Sequence, residues 1–102
     1  MMYIGKTARY VREKKGKSLR AAASLLNISH VHLCNIENNR AVASLQLLEK
    51  MELVYGVDLI VLGWCLFGDL DRLPLAVRAP MQALGEAWKR ELGELAELPV
   101  GN

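Results

Sequence analysis

Residues 18–40 read SLRAAASLLNISHVHLCNIENNR, and this stretch decides the fold. Ser18 is a good N-cap, because its hydroxyl can take a free backbone N–H of the first turn. Leu19, Ala22, Ala23 and Leu26 follow at helical spacing and make one apolar stripe. Ala23 is small enough to let a second helix cross closely. Asn27 sits where the first helix must end sharply, and Asn tolerates a left-handed backbone better than any residue but Gly. Ile28 can then plug the core. Ser29 opens a second helix that runs to about Asn38, with Leu33 and Ile36 facing inward. His30, Val31, His32, Cys34 and Asn35 are left on its other sides. A helix pair joined by so short a turn can lay its second member in the major groove of DNA.

Apolar spacing alone suits any helical hairpin; charge favours DNA. Residues 1–40 carry eight basic residues (Lys6, Arg9, Arg12, Lys14, Lys15, Lys17, Arg20, Arg40) against Glu13 and Glu37, a net of +6. Residues 41–102 carry five basic residues against nine acidic ones, a net of −4. The overall +2 hides this asymmetry. A basic half supplies sequence-independent affinity for phosphate. An acidic half is not drawn to the duplex and is free to contact protein.

The remaining chain reads as helices. A first helix spans about Gly5 to Lys15, with Ile4, Ala8 and Val11 facing in, and Gly16 ends it. A fourth starts after Ser44, with Leu45, Leu48, Met51 and either Leu53 or Val54 on its stripe, and Gly56 stops it. Asp58 looks like the cap of a fifth, Leu59 to Phe67, closed by Gly68. This segment is apolar on every side and should be buried on every side. A strand is the rival reading there, because Val57, Ile60 and Val61 are β-branched. Pro74 and Pro80 break the chain. A last helix, Pro80 to Leu98, begins on a proline suited to a first turn and aligns Met81, Leu84, Trp88, Leu92 and Leu95.

Residues 4–62 resemble the Cro/C1-type helix-turn-helix family, also called the XRE family. The resemblance rests on Arg12 eight residues into the first helix and the step from Ser18 to Ala23. It rests also on the N-I-S turn at Asn27–Ser29, the I-E-N run at Ile36–Asn38 with Arg40 beyond, and S-L-x-L-L-E-K at Ser44–Lys50. Leu19 stands where the family often has a Gln that reaches a phosphate. Asn27 and Asn39 stand at its glycines, and Ala43 at its proline. The resemblance implies an all-α, lambda-repressor-like bundle of five helices, here with an additional amphipathic C-terminal helix. Residues 1–68 then form the DNA-binding domain, and residues 69–102 an extension for packing or dimerisation.

The resemblance also implies roles. The opening of the recognition helix and the residue one turn on reach base edges in such complexes; these are His30, Val31 and Asn35. Asn can pair two-pronged with adenine, and Val can pack on a thymine methyl. Lys17, Ser18, Arg20, Ser29, His32, Asn38, Asn39 and Arg40 fall on the side that faces the phosphate backbone. Arg12 and Glu37 correspond to a structural ion pair. The expected partner is double-stranded DNA bound by a homodimer, because one recognition helix reads only a few base pairs. The expected function is transcriptional regulation, as a repressor; the alternative is an antitoxin that binds its operator and a toxin protein. Trp64 and the stripe Met81, Leu84, Trp88, Leu92 and Leu95 supply either a dimer seam or cover for the core.

Other chemistry finds little footing. His30 and Cys34 share a helix face, but two ligands do not make a zinc site. No Ser, His and Asp constellation and no Gly-rich phosphate loop is present, so neither an enzyme nor a cofactor is expected. The most apolar run, Val57 to Phe67, is too short to span a membrane and contains Asp58. No secretory signal is visible, and Cys34 and Cys65 read as free thiols in a reducing compartment. A cytoplasmic location follows as the expectation.

Overall fold

The computed structural model describes residues 4–97, with side chains through Gly93, and among these residues it is entirely helical. The order is α1 (Gly5–Lys14), α2 (Leu19–Leu26), α3 (His30–Glu37), α4 (Leu45–Tyr55), α5 (Leu59–Phe67), one turn of 3-10 helix (Leu70–Arg72) and α6 (Leu75–Glu97). The side chain of Leu95 and all of Leu98 lie outside the described residues.

Side-chain caps set most of the starts. Ser18 Oγ accepts from Ala21 N at 3.1 Å, Ser29 Oγ from His32 N at 3.0 Å, and Ser44 Oγ from Leu47 N at 3.1 Å. Each leaves one fewer unsatisfied donor in a first turn. Asp58 Oδ1 accepts from both Ile60 N and Val61 N at 3.0 Å, which fixes α5 as a helix and removes the strand alternative. Helix α2 ends on Asn27 in the left-handed region (φ 56°), and Ile28 N–H returns to Ala23 O at 3.0 Å.

At the start of helix α1, Ile4 stands at the N-cap and makes no side-chain capping hydrogen bond. Asn39 caps the helix from a distance. Its backbone is left-handed (φ 59°), and its Oδ1 accepts Gly5 N–H at 3.2 Å. This docks the start of α1 on the end of α3. The approach requires glycine, because a Cβ at Gly5 would stand 2.6 Å from Glu37 O and 2.7 Å from Ile36 O.

The core is built around α1, which packs against α3, α5 and α6. Ala8 and Val11 of α1, Ala22, Ala23 and Leu26 of α2, and Leu33 and Ile36 of α3 are buried, as the apolar spacing predicts. Helix α4 differs from its predicted stripe. Leu47, Met51 and Tyr55 are buried, with Leu48 and Val54 packed beside them, whereas Leu45 is 71% and Leu53 83% exposed. The buried set 47, 48, 51, 54 and 55 follows the 3.6-residue turn, and Leu45 is out of its phase.

One further expectation needs correcting, and another is met only in part within one chain. The cover expected for helix α5, from the C-terminal segment or a second subunit, is partial in the single chain: Leu59 and Leu62 are buried, but Trp64 and Phe67 remain exposed. One α6 and one α1 cannot wrap a whole helix. Helix α6 begins at Leu75 rather than Pro80, so Pro80 lies inside it. The chain break falls at Pro74 instead. Arg78 fastens that start, donating from Nε to Leu73 O (2.8 Å) and from Nη2 to Asp71 O (2.7 Å). A proline near the start of a helix removes one helical hydrogen bond, and the two bonds from Arg78 hold the turn ahead of it.

Helix α6 returns over the bundle. Leu92 is 2% exposed and belongs to the same core as Ala8 and Val11; Trp88 packs against that core, and Met81 is half-buried. Leu84 stays at the rim. A Cβ at Gly85 would lie 2.8 Å from Cys65 Cβ, so the missing side chain sets the approach of α6 to α5. The Cys65 thiol donates to Met81 O at 3.3 Å, and burial pushes its pKa up.

Tyr55 is 1% exposed, and among the described residues its hydroxyl finds no hydrogen-bond partner. Burial first, and the nearby Glu37 charge second, push its pKa up to about 12, while Arg12 opposes them. The neutral phenol is therefore favoured in the folded state. Its contribution is fully present below pH ~10 and is lost as pH rises toward ~12, by about 2–3 kcal/mol. Tyr55→Phe should abolish that alkaline loss and leave stability at pH 7 unchanged or slightly higher, since an orphan hydroxyl is removed. Paired thermal melts of the two proteins between pH 9 and pH 11.5 check this (range set by the ordinary Tyr pKa of ~10).

Candidate nucleic-acid interface

Helices α2 and α3 cross with Ala22 and Ala23 buried between them. The buried side of α3 is Leu33, Ile36 and Glu37. By the 3.6-residue turn, the opposite side is Val31, Cys34, Asn35 and Asn38. Val31 is 57% exposed, Asn38 is exposed, and Cys34 and Asn35 are half-buried. His30 and His32 are half-buried and flank this row on either side. The three residues expected to read bases, His30, Val31 and Asn35, thus lie on or beside one outward row at the helix start. Cys34 shares the row, which the sequence argument did not exploit.

The expected backbone-facing residues surround this row, and several already hold protein groups. Ser18 and Ser29 accept backbone N–H groups with Oγ and keep their own O–H free to donate. Asn38 Nδ2 donates to Cys34 O at 2.9 Å and lies 3.4 Å from its sulfur. Asn39 commits its amide oxygen to Gly5, leaving only its NH2 outward. The loop after α3 is closed by Arg40 N–H and Ala41 N–H on Asn35 O, at 2.8 and 3.2 Å. Arg20 and Arg40 are exposed and Lys17 is half-buried. Asn35 therefore carries two tasks, its side chain outward and its carbonyl anchoring the loop that presents Arg40.

Beneath this surface lies an ion pair. Arg12 Nε donates to Glu37 Oε2 at 2.8 Å and Nη2 to Oε1 at 3.0 Å. The side chains are 13% and 4% exposed. A third Arg12 donor, Nη1, reaches Lys17 O at 2.8 Å. One guanidinium thus fixes α1, the end of α3 and the segment that leads into Ser18. The hydrogen bond to Glu37 raises the pKa of Arg12, against the opposing pull of burial. A bidentate guanidinium–carboxylate pair sets orientation as well as distance.

The sequence singles out Trp64 in the apolar run Leu59 to Phe67 but not Val42 and Leu45, which extend it into a larger apolar surface beside this region. Val42 and Leu45 are exposed, and they line a shallow cavity of about 220 Å³ with Ile4, Leu48 and Ile60. It adjoins a groove of about 320 Å³ lined by Ile4, Ile60, Trp64 and Phe67, where Lys6 Nζ sits 5.7 Å from the Phe67 ring. The signal was available: Leu45 follows its N-cap directly and cannot join the phase of Leu47, Met51 and Tyr55. Among the described residues no group of three His, Cys, Asp or Glu side chains could hold a metal ion, and no helix is long and apolar enough to cross a membrane.

A family model described as helix-turn-helix matches residues 9–62, from the first turns of α1 into α5. No curated protein and no solved structure matches the chain.

Removing one partner of a buried, hydrogen-bonded pair strands the other, at a cost of about 3–5 kcal/mol. Glu37→Gln keeps the shape and loses the charge. It should lower the unfolding midpoint by more than about 10 °C for a domain of this size. A shift of only a degree or two in a thermal melt would mean that the pair contributes no more than an exposed one.

Proposed function

The chain belongs to the Cro/C1-type helix-turn-helix family, the XRE family, whose members are DNA-binding transcription regulators, and on that premise we propose that it represses transcription by occupying an operator as a homodimer. The observation that carries this reading is the outward row Val31, Asn35 and Asn38 flanked by His30 and His32, on a helix within the basic half of the chain. Repression needs nothing beyond occupancy, since a bound dimer excludes other proteins from the same duplex.

Base reading falls to His30, Val31 and Asn35. Positioning on the backbone falls to Lys17, Ser18, Arg20, Ser29, His32, Asn38, Asn39 and Arg40, where contacts fix register without reading sequence. The seam falls to the apolar surface of Val42, Leu45, Ile60, Trp64 and Phe67, because Leu92 is buried in the monomer's own core and Trp88 is half-buried against it. This surface begins at Val42, close after the end of α3 at Glu37. A two-fold axis through it keeps both recognition helices near that axis, as half-sites about 34 Å apart require. The alternative, an antitoxin that also holds a toxin, demands a second protein-binding surface clear of the recognition helix.

Selection of bound sequences from a random duplex pool tests the proposal, and a two-fold symmetric motif is the expected result. Asn35→Ala should cost about 1–3 kcal/mol on that motif and relax preference at one base pair. Arg40→Ala should weaken all sequences alike and reduce the salt slope by about one unit per copy. An unsymmetric motif, or preference unchanged by Asn35→Ala, contradicts the assignment.

Trp64→Glu tests the seam. It buries a charge at the interface but leaves the monomer's core intact, so light scattering should show a monomer whose melting is little changed. A dimer that survives Trp64→Glu but is split by Trp88→Glu would place the seam on α6 instead.

A further inference from the structure

A second groove, of about 530 Å³, lies among the last turns of α4, the start of α5 and α6. Val57 and the half-buried Trp88 line it, and Leu53 stands beside them at 83% exposure, the highest of any large apolar side chain among the described residues. Glu49, Glu52 and Asp58 complete its lining. Glu91 and, opposite in charge, Lys15 line an adjoining cavity of about 190 Å³ that shares Val57 and Trp88.

Two of these carboxylates are fixed before anything binds. Glu52 Oε2 accepts Leu59 N–H at 3.1 Å, and Asp58 Oδ1 accepts from Ile60 and Val61, so each has one oxygen tied down and the other left over. Among the described residues no ion pair involves Glu49, Glu52 or Asp58. The exposed Leu53, with buried Val57 and half-buried Trp88 beneath it, is thus framed by three carboxylates without ion pairs, two of them oriented. A preorganised frame loses little side-chain freedom when it is engaged.

We propose that this groove docks a cationic, apolar segment of a second protein: one bulky aliphatic side chain against Leu53, Val57 and Trp88, with Lys or Arg on either side meeting Glu49, Glu52 and Asp58. Charge selects this occupant. DNA and other polyanions are repelled. A second copy placed isologously would set this acidic frame against itself, and like charges so opposed are unfavourable. The Trp88 face adds attraction for a cation. No residue of the recognition helix lines the groove, so the segment is held while α3 stays available. The inference goes beyond the DNA-binding reading and does not require it.

The test uses the full-length protein, isotope-labelled for NMR, and three synthetic helical peptides. The first carries one Leu with Lys one turn before and one turn after; the second scrambles the same residues so that Leu is terminal; the third replaces Leu by Ser. The first should bind in the micromolar range and shift the amides of Leu53, Gly56 and Val57 and the Trp88 indole. The scrambled and Ser peptides should bind at least about tenfold more weakly, as removal of a single anchor does at protein interfaces. The variant Glu49→Lys with Leu53→Ser, at two exposed positions, should weaken the first peptide at least about tenfold while its melting and its affinity for duplex DNA stay unchanged.

Equal binding of the three peptides overturns the proposal, as do shifts centred elsewhere or affinity untouched by the double variant. Concentration-dependent shifts of the groove resonances without peptide would give the groove to a second copy and overturn it too. Loss of DNA binding with the groove intact would count against the operator reading alone.

Discussion

The buried pairing of Arg12 with Glu37 is the constraint on which the rest of the molecule depends. Its guanidinium uses three donors to tie α1 to two other parts of the chain: two on Glu37 at the end of α3, one on the carbonyl of Lys17 just before α2. The helix that faces outward is therefore fixed at its end by a bond to α1 and, through Lys17, in step with the helix that precedes it. An apolar contact could supply equal stability, but it would not fix orientation so narrowly. The start of α1 is in turn held by Asn39, just past α3. Helices α1 and α3 consequently order each other, and Tyr55 closes the floor beneath them without a hydrogen bond of its own.

Around that centre the chain separates its surfaces by charge. The row on α3 lies in the basic half, the apolar strip from Val42 to Phe67 is bordered by Lys6, and the groove at Leu53 and Trp88 is framed by carboxylates. Three surfaces with three different electrostatic characters do not compete for one partner. Net charge, at +2, conceals this division entirely.

What could be read from the residues and what could not divide along a physical line. Caps and the phase of a short helix are local. Ser18, Ser29, Ser44 and Asp58 announce their helices because each hydroxyl or carboxylate acts within three residues of itself, and Asn27 announces its turn by what its backbone tolerates. The outward placement of Val31 and Asn35 follows from the same phase. Features that depend on distant partners were not legible. The resemblance puts Asn39 on the phosphate side, but nothing local shows that its oxygen also caps α1 from thirty-four residues away in sequence. That one small bundle leaves part of α5 uncovered follows from its all-round apolarity, but which side stays open does not. Pro80 suits a helix start because a proline in a first turn is favourable, but the helix begins earlier, after Pro74, where Arg78 bonds back to Leu73 O and Asp71 O.

The matched family segment ends at Leu62, while the core that supports it closes only with Leu92. The unit that recognises and the unit that folds therefore have different lengths. Grafting residues 9–62 onto another scaffold would carry the outward row but leave behind both Ala8 and Leu92, so Val11 and Leu59 would lose core partners on two sides. Helix α6 is thus not a free appendage of this chain: removing it opens the core unless another segment of similar volume takes its place.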